Sequence, residues 1–487
     1  MDILDLKLDQ LDKAFPGDFS PEQVARGKTL FFKHLSLAAH RFYGGKMQTV
    51  PKVAAFGFNW FNVWYTPGVS AVSTTIRDDH ETSYDLSNRG NLVAVVTDSS
   101  RVLGDGDVSP SGGLGVMEGK AFLMKMLGGL DAVALCMDSR GADGKHDPDA
   151  IIEFVRRLQP SFGAVNLEDI SQPNCYRVLD VLRETSEIPV WHDDAQGTGC
   201  VTLAGLLNAL KVAGKELAKA RLVFYGAGAS NTTIARLILG AGGDPERMIL
   251  FDTQGALGRH RDDIRADPRF YRKWELCEQT NPGGVRTIEA AMRGADALIA
   301  LSKPGPGTVK PEWIRVMAPR AIVFACANPV PEIYPHAAKE AGAYVVATGR
   351  GDFPNQVNNS LGFPAILKGS LLVRARKITD AMAIAAARSL ADFAEKKGLS
   401  PDYIIPTMEE ADVFPQEAAD VAMQAIRDGV AKRKLSPEEV YRRTEAGIRE
   451  SRRLLDLMVE EGLVRRPPPE LLSEALAGAI AEVRRGA

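Results

Sequence analysis

The chain has 487 residues, 45% of them apolar and 25% charged, with a formal net charge of -3. That is the balance of a soluble globular protein long enough for two or more cores, and it gives no reason to expect nucleic acid, whose binders usually show a basic patch or stripe. Five cysteines at 136, 175, 200, 277 and 326, with no CxxC spacing, suggest neither a disulfide framework nor a zinc site and fit a reducing cytoplasm.

The first residues, MDILDLKLDQLDKAF, lack both a basic stretch and an apolar stretch of the export type. No apolar run reaches about 18 residues, so no membrane span is expected. From about residue 92 strand-like and helix-like segments alternate: LVAVVTD, GKAFLMKML, DAVALCMD, IIEFVRRLQ, AVNLEDI, CYRVLDVLRE and IPVWHDD. This is βαβ grammar and implies a mostly parallel sheet.

Two of these strand-like runs close on acidic pairs, Glu168-Asp169 and Asp193-Asp194. Residues at the carboxyl ends of parallel strands project into the crevice where open α/β sheets bind ligands. Several like charges gathered there need a cation or a lysine to neutralise them. Oxygen-only donors suit Mg²⁺ or Mn²⁺ rather than zinc. His192 adjoins the second pair, but strand alternation turns it away from Asp193, so it is not counted as a ligand.

The stretch over 201–220, VTLAGLLNALKVAGKELAKA, predicts a long helix that ends the first α/β domain. RLVFYGAGAS then opens a second series that runs through MILFD, ADALIALS, AIVFACANP and AYVVATG. Gly226 and Gly228 lie between a strand and an apolar helix, where a GxG turn lets backbone amides approach a pyrophosphate. Ala229, Ser230 and Asn231 continue that turn, Asn231 replacing the third glycine of the fingerprint. Asp252 ends the next strand at the place of a ribose-binding acid, which favours NAD and leaves NADP open. Beyond residue 377 the composition turns helical, and Pro467 to Pro469 set off a last short helix. The expected division is 1–215, 216–377 and 378–487.

Further motifs are YTPGV, VMEGKA, NLEDI, HDD-QGT, GAGA, ANPVPE and ATGR-D-PNQVNN. In this order, from about residue 40 to about 430, the sequence resembles the malic enzymes, particularly the shorter bacterial and archaeal kind. The resemblance implies an α/β fold with an N-terminal malic-type catalytic domain, a Rossmann-like NAD-binding domain and a helical C-terminal extension. It implies oxidative decarboxylation of L-malate to pyruvate and CO₂ with NAD(P), in a homo-oligomer of two or more copies. Glu168, Asp169 and Asp194 would hold Mg²⁺ or Mn²⁺, Lys120 would be the general base oriented by Asp193, and Tyr65 the general acid. Arg101 would clamp a malate carboxylate, while Asn328 and Asn359 would hold substrate, Asn328 also touching the dinucleotide. A lysine serves as a base there only if its pKa falls towards neutrality. Two alternatives use the same residues: a malolactic-type lyase with bound NAD, and a relative acting on another 2-hydroxy acid. The second is raised by Asp105, where the family commonly has an apolar residue. Ser230, Asn231, Thr232 and Lys303 also depart from the family pattern.

Overall fold

Four apolar runs, β1 (Leu92–Thr97), β2 (Asp131–Cys136), β3 (Ala164–Leu167) and β4 (Val190–His192), form an all-parallel sheet in the order β2-β1-β3-β4. They belong to a computed structural model that describes residues 8–102 and 104–486. Val93, Val95 and Val165 are fully buried, as expected of strands covered on both faces. Register places the acidic pairs: Leu167 pairs with His192, so Glu168 and Asp193 leave the sheet side by side.

β4 runs into a π-helical turn, Asp193–Gly197, and then the helix Thr198–Val212. Such single-turn insertions are frequent at functional sites. The helix predicted over 201–220 ends at Val212 instead. Gly214 takes φ +68° and the Lys215 N–H closes on the Leu210 carbonyl, a left-handed stop that a side chain at 214 would strain. A short 3₁₀ turn, Leu217–Lys219, leads to the next strand.

The second sheet holds β5 (Leu222–Tyr225), β6 (Met248–Asp252), β7 (Gly255–Ala256), β8 (Ala297–Ala300), β9 (Ala321–Ala325) and β10 (Ala343–Thr348). Its order is β10-β9-β8-β5-β6-β7, parallel apart from β7. The order of strand addition reverses between β5 and β8, and ligands of open α/β sheets bind at such a switch point. One face of each sheet joins the helices Thr198–Val212, Phe363–Leu372, Asp380–Lys397 and Val413–Arg427 in one apolar core. The opposite faces close two smaller cores.

These elements lie in a unit spanning Val50–Arg449. The other unit is Met1–Thr49 with Glu450–Ala487. There the helix Pro21–Tyr43 starts at a reciprocal Ser20/Gln23 capping box and packs with Pro469–Arg485 around Phe15, Phe31 and Ala479. Within the larger unit, the helices Phe61–Trp64 and Val69–Asp78 have no buried residue. Phe56, Phe58, Phe61, Val63, Trp64 and Tyr65 all face solvent, Phe58 at 87% exposure.

Candidate active site

The acidic groups at the ends of β3 and β4 gather into one cluster. Carboxylate oxygens of Glu168, Asp169 and Asp194 lie within 4.8 Å of one another. Asp169 takes φ +54°, a left-handed conformation that aspartate tolerates better than most residues. Its N–H donates to Asp194 Oδ2 at 2.7 Å and its carbonyl accepts the Arg101 N–H at 3.0 Å. Asn166, two residues before Glu168, donates to Glu168 Oε2 at 2.9 Å.

Asp193 turns elsewhere. It accepts from Lys120 Nζ, and from Trp191 Nε1 at 3.1 Å. Lys120 lies on the helix Leu114–Gly128 and also reaches Glu168 Oε1 at 3.1 Å and Asn359 Oδ1 at 3.2 Å. Its ammonium stands 4.6 Å from the centre of the Phe363 ring. Thus Lys120, Asp193, Glu168 and Asn359, spread over 239 residues of sequence, form one buried network.

Four carboxylates meet a single ammonium here, and Glu168, Asp169 and Asp193 are buried. Burial pushes the Glu168 carboxyl well above its usual range, against the pull of Lys120. Burial raises Asp193 too. Burial alone would lower Lys120, yet the attraction of Asp193, Glu168 and Asp194 outweighs it and holds the ammonium above its ordinary value. That direction is opposite to what a base requires, because the surplus charge around Lys120 is negative rather than positive. A hard divalent cation fits this donor set: three oxygens from two strand ends, with net negative charge to offset. His192 is fully buried, with a ring nitrogen 4.0 Å from Asp194 Oδ2, and burial depresses its pKa.

The glycine turn lies against this cluster. Gly226 takes φ +98°, and a Cβ there would fall 2.3 Å from the Leu301 carbonyl, so only glycine fits. Asn231 is fully buried and donates to the carbonyls of Gly226 at 2.6 Å and Ile299 at 3.3 Å, bracing the turn from below. Ser230 Oγ donates to the backbone carbonyl of Asp194 at 2.8 Å. Asp252 at the end of β6 is already engaged. It accepts from Arg261 at 2.7 and 3.0 Å, from Lys273 at 3.3 Å and from the Gln254 N–H at 2.9 Å. Burial would raise its pKa, but these donors outweigh burial and lower it. The repulsion expected between Asp252 and a 2′-phosphate is therefore offset by two cations.

Arg101, Asn328 and Asp105 are exposed. Asp105 lies in a tight reversal closed by the Val102 N–H on the Gly106 carbonyl. A Cβ on neighbouring Gly104 would lie 3.2 Å from the Asn328 carbonyl, so the tip of this reversal touches the Asn328 loop. Tyr65 is 73% exposed, its hydroxyl makes no hydrogen bond among the described residues, and its apolar neighbours on the strip are exposed as well. Asn166, the first residue of NLEDI, and Trp191 join the site as orienting groups to which the sequence assigned no role. Only their spacing, two residues before Glu168 and Asp193 on the same strand face, offered a signal.

A family model described as "Malic enzyme, N-terminal domain" matches residues 58–183, and one described as "Malic enzyme, NAD binding domain" matches residues 195–427. The structure is similar to a crystal structure of Entamoeba histolytica malic enzyme, with a TM-score of 0.96 and 61% identity over 97% of this chain and 98% of that one. The sequence is similar to a bifunctional malic/malolactic enzyme of Bacillus subtilis, 40% identical over 84% of this chain and 97% of that protein. It is also similar to an NADP-dependent malic enzyme of Halomonas elongata, 40% identical over 76% of this chain and 87% of that protein.

Proposed function

The chain belongs to the malic enzyme family, and from that premise we propose that it oxidises L-malate with NAD(P), releases CO₂ and yields pyruvate, with Mg²⁺ or Mn²⁺ held by Glu168, Asp169 and Asp194. One observation carries the reading: three carboxylates gather at the carboxyl edge of the first sheet, Glu168 paired with Lys120, and Asp194 bonded both to the Asp169 N–H and to Ser230 of the glycine turn. When bound, a divalent cation supplies Lewis-acid polarisation of the hydroxyl and ketone oxygens, and its charge offsets the carboxylates that hold the Lys120 proton. Lys120 Nζ, once its own proton has been released to solvent, would take the malate hydroxyl proton, kept in line by Asp193 and Asn359. Arg101 grips a malate carboxylate with its forked guanidinium. Asn328 and Asn359 hold substrate beside the nicotinamide. Gly226, Gly228, Ala229 and Ser230 present the start of the helix Ala229–Gly240 to the pyrophosphate, Asn231 braces that turn, and Asp252 lies at the ribose end.

Tyr65 protonates the enolpyruvate carbon, which requires its exposed strip to be covered. A second copy of the chain is the cover we propose, making the enzyme a homo-oligomer. We also propose that 1–215 is the catalytic and metal-binding region, 216–377 the dinucleotide-binding region and 378–487 a helical extension. No helix among the described residues is long and apolar enough to cross a membrane, and the five cysteines are free, which supports a cytoplasmic enzyme.

The test is pyruvate and NADH formation from L-malate with NAD⁺ or NADP⁺, with and without Mn²⁺. Metal-dependent NAD(P)H release is expected; none with either cofactor would overturn the reading. Similarity to the bifunctional Bacillus subtilis enzyme supports one second reading, conversion of malate to lactate on retained NAD. Lactate formed without net NADH would favour it.

A further inference from the structure

Ser230, Asn231 and Thr232 come after the GAGA turn where small residues are expected, and each turns its polar group onto the protein. Asn231 braces the turn. Thr232 Oγ1 lies 3.1 Å from the hydroxyl of Tyr176, on the helix Asn174–Thr185 next in chain order after the Glu168-Asp169 strand end. Ser230 spends its proton on the Asp194 carbonyl, 2.8 Å away. Asp194 is thereby held from two sides, its carbonyl by Ser230 and its Oδ2 by the Asp169 N–H. One hydrogen-bonded chain, Ser230 to Asp194 to Asp169, runs from the dinucleotide turn to two of the three candidate cation ligands.

We propose that Ser230 is a positioning residue that couples dinucleotide binding to divalent-cation binding, each tightening the other. The proposal rests on the proposed function, in which these carboxylates take a cation and the glycine turn takes NAD(P). A pyrophosphate on the first amides of the helix Ala229–Gly240 fixes the turn. The fixed turn holds the Ser230 hydroxyl, and through it the backbone of Asp194, so part of the ordering needed to bind the ion is complete before it arrives. Linkage makes the effect reciprocal: the cation must raise dinucleotide affinity by the same factor. One neutral, half-buried hydrogen bond sets the scale at about 3- to 10-fold.

The experiment measures Mn²⁺ dissociation from the full chain by the electron paramagnetic resonance of free Mn²⁺, with and without saturating NAD⁺. NAD⁺ affinity is measured in the converse titration. In the wild type NAD⁺ is expected to tighten Mn²⁺ about 3- to 10-fold, and Mn²⁺ to tighten NAD⁺ equally. Ser230→Ala should bring both ratios to about 1, and Ser230→Thr, which keeps the hydroxyl, should retain them. Thr232→Val removes a neighbouring hydroxyl of the same seam and should also retain them, which separates coupling from a general loosening. If both ligands bind the wild type independently, or Ser230→Ala keeps the full ratio, the coupling is wrong and the enzyme assignment stands. If the wild type binds neither Mn²⁺ nor NAD⁺, the function beneath the proposal fails as well.

Discussion

The crevice at the ends of β3 and β4 and the strip around Tyr65 carry two halves of one proposed reaction, and the chain finishes them differently. In the crevice Lys120, Asp193 and Glu168 are buried and mutually bonded, each held by at least two partners. On the strip Tyr65 and five apolar neighbours face solvent. In the proposed reaction a single chain would build its proton-abstracting and cation-binding half internally, whereas the proton-donating half would need a surface that the described residues do not cover.

Breaking the internal half should have the largest effect. Lys120→Ala is expected to lower malate turnover by about 10³-fold or more while NAD⁺ binding, followed by fluorescence, persists. Turnover near the wild-type rate would remove Lys120 from the base role. Tyr65→Phe should cost about 10²-fold in pyruvate formation and leave Mn²⁺ affinity unchanged, because Tyr65 is not among the groups proposed to hold the ion. Replacing Phe58 and Phe61 together by serine should split the oligomer, read by light scattering after gel filtration. An unchanged mass would mean that something other than a second copy covers the strip.

Charge sharpens the contrast further. Glu168 has its folded-state pKa raised, so it contributes stability at low pH that is lost as pH climbs above its ordinary value of 4.5. Lys120 is also raised, but its contribution is fully present below its ordinary value of 10.5 and stays flat across pH 5 to 8. The melting temperature of the metal-free protein should therefore fall from pH 5 to 8. The gain on adding Mn²⁺ should grow over the same window, approaching about 2.7 kcal/mol at a hundredfold excess over Kd. A gain independent of pH would mean that the ion does not displace a proton from this cluster. The smallest effect expected is at the ribose end, where Lys273→Gln should lower kcat/KM for NADP⁺ relative to NAD⁺ by about 10-fold.

Much of the crevice was legible in the sequence, because strand ends obey a register. NLEDI and WHDD each announce acidic residues just past an apolar run, and parallel pairing of Leu167 with His192 brings them together. The state of Lys120 was not legible, since its pKa depends on how many carboxylates surround it and only the fold counts them. Asp252 shows the same limit: a carboxylate at the ribose position reads as NAD-selective until Arg261 and Lys273, 9 and 21 residues on, fold back onto it. The helix expected through 220 stops short because of Gly214, where one left-handed residue outweighs a run of good helix formers.

Anomalous diffraction from crystals grown with Mn²⁺ reads the cation site most directly. The expected result is one Mn²⁺ peak per chain, within about 2.2 Å of oxygens from Glu168, Asp169 and Asp194, and its loss in Asp169→Ala. A peak bound elsewhere, or none in an enzyme that still turns malate over, would contradict the assignment.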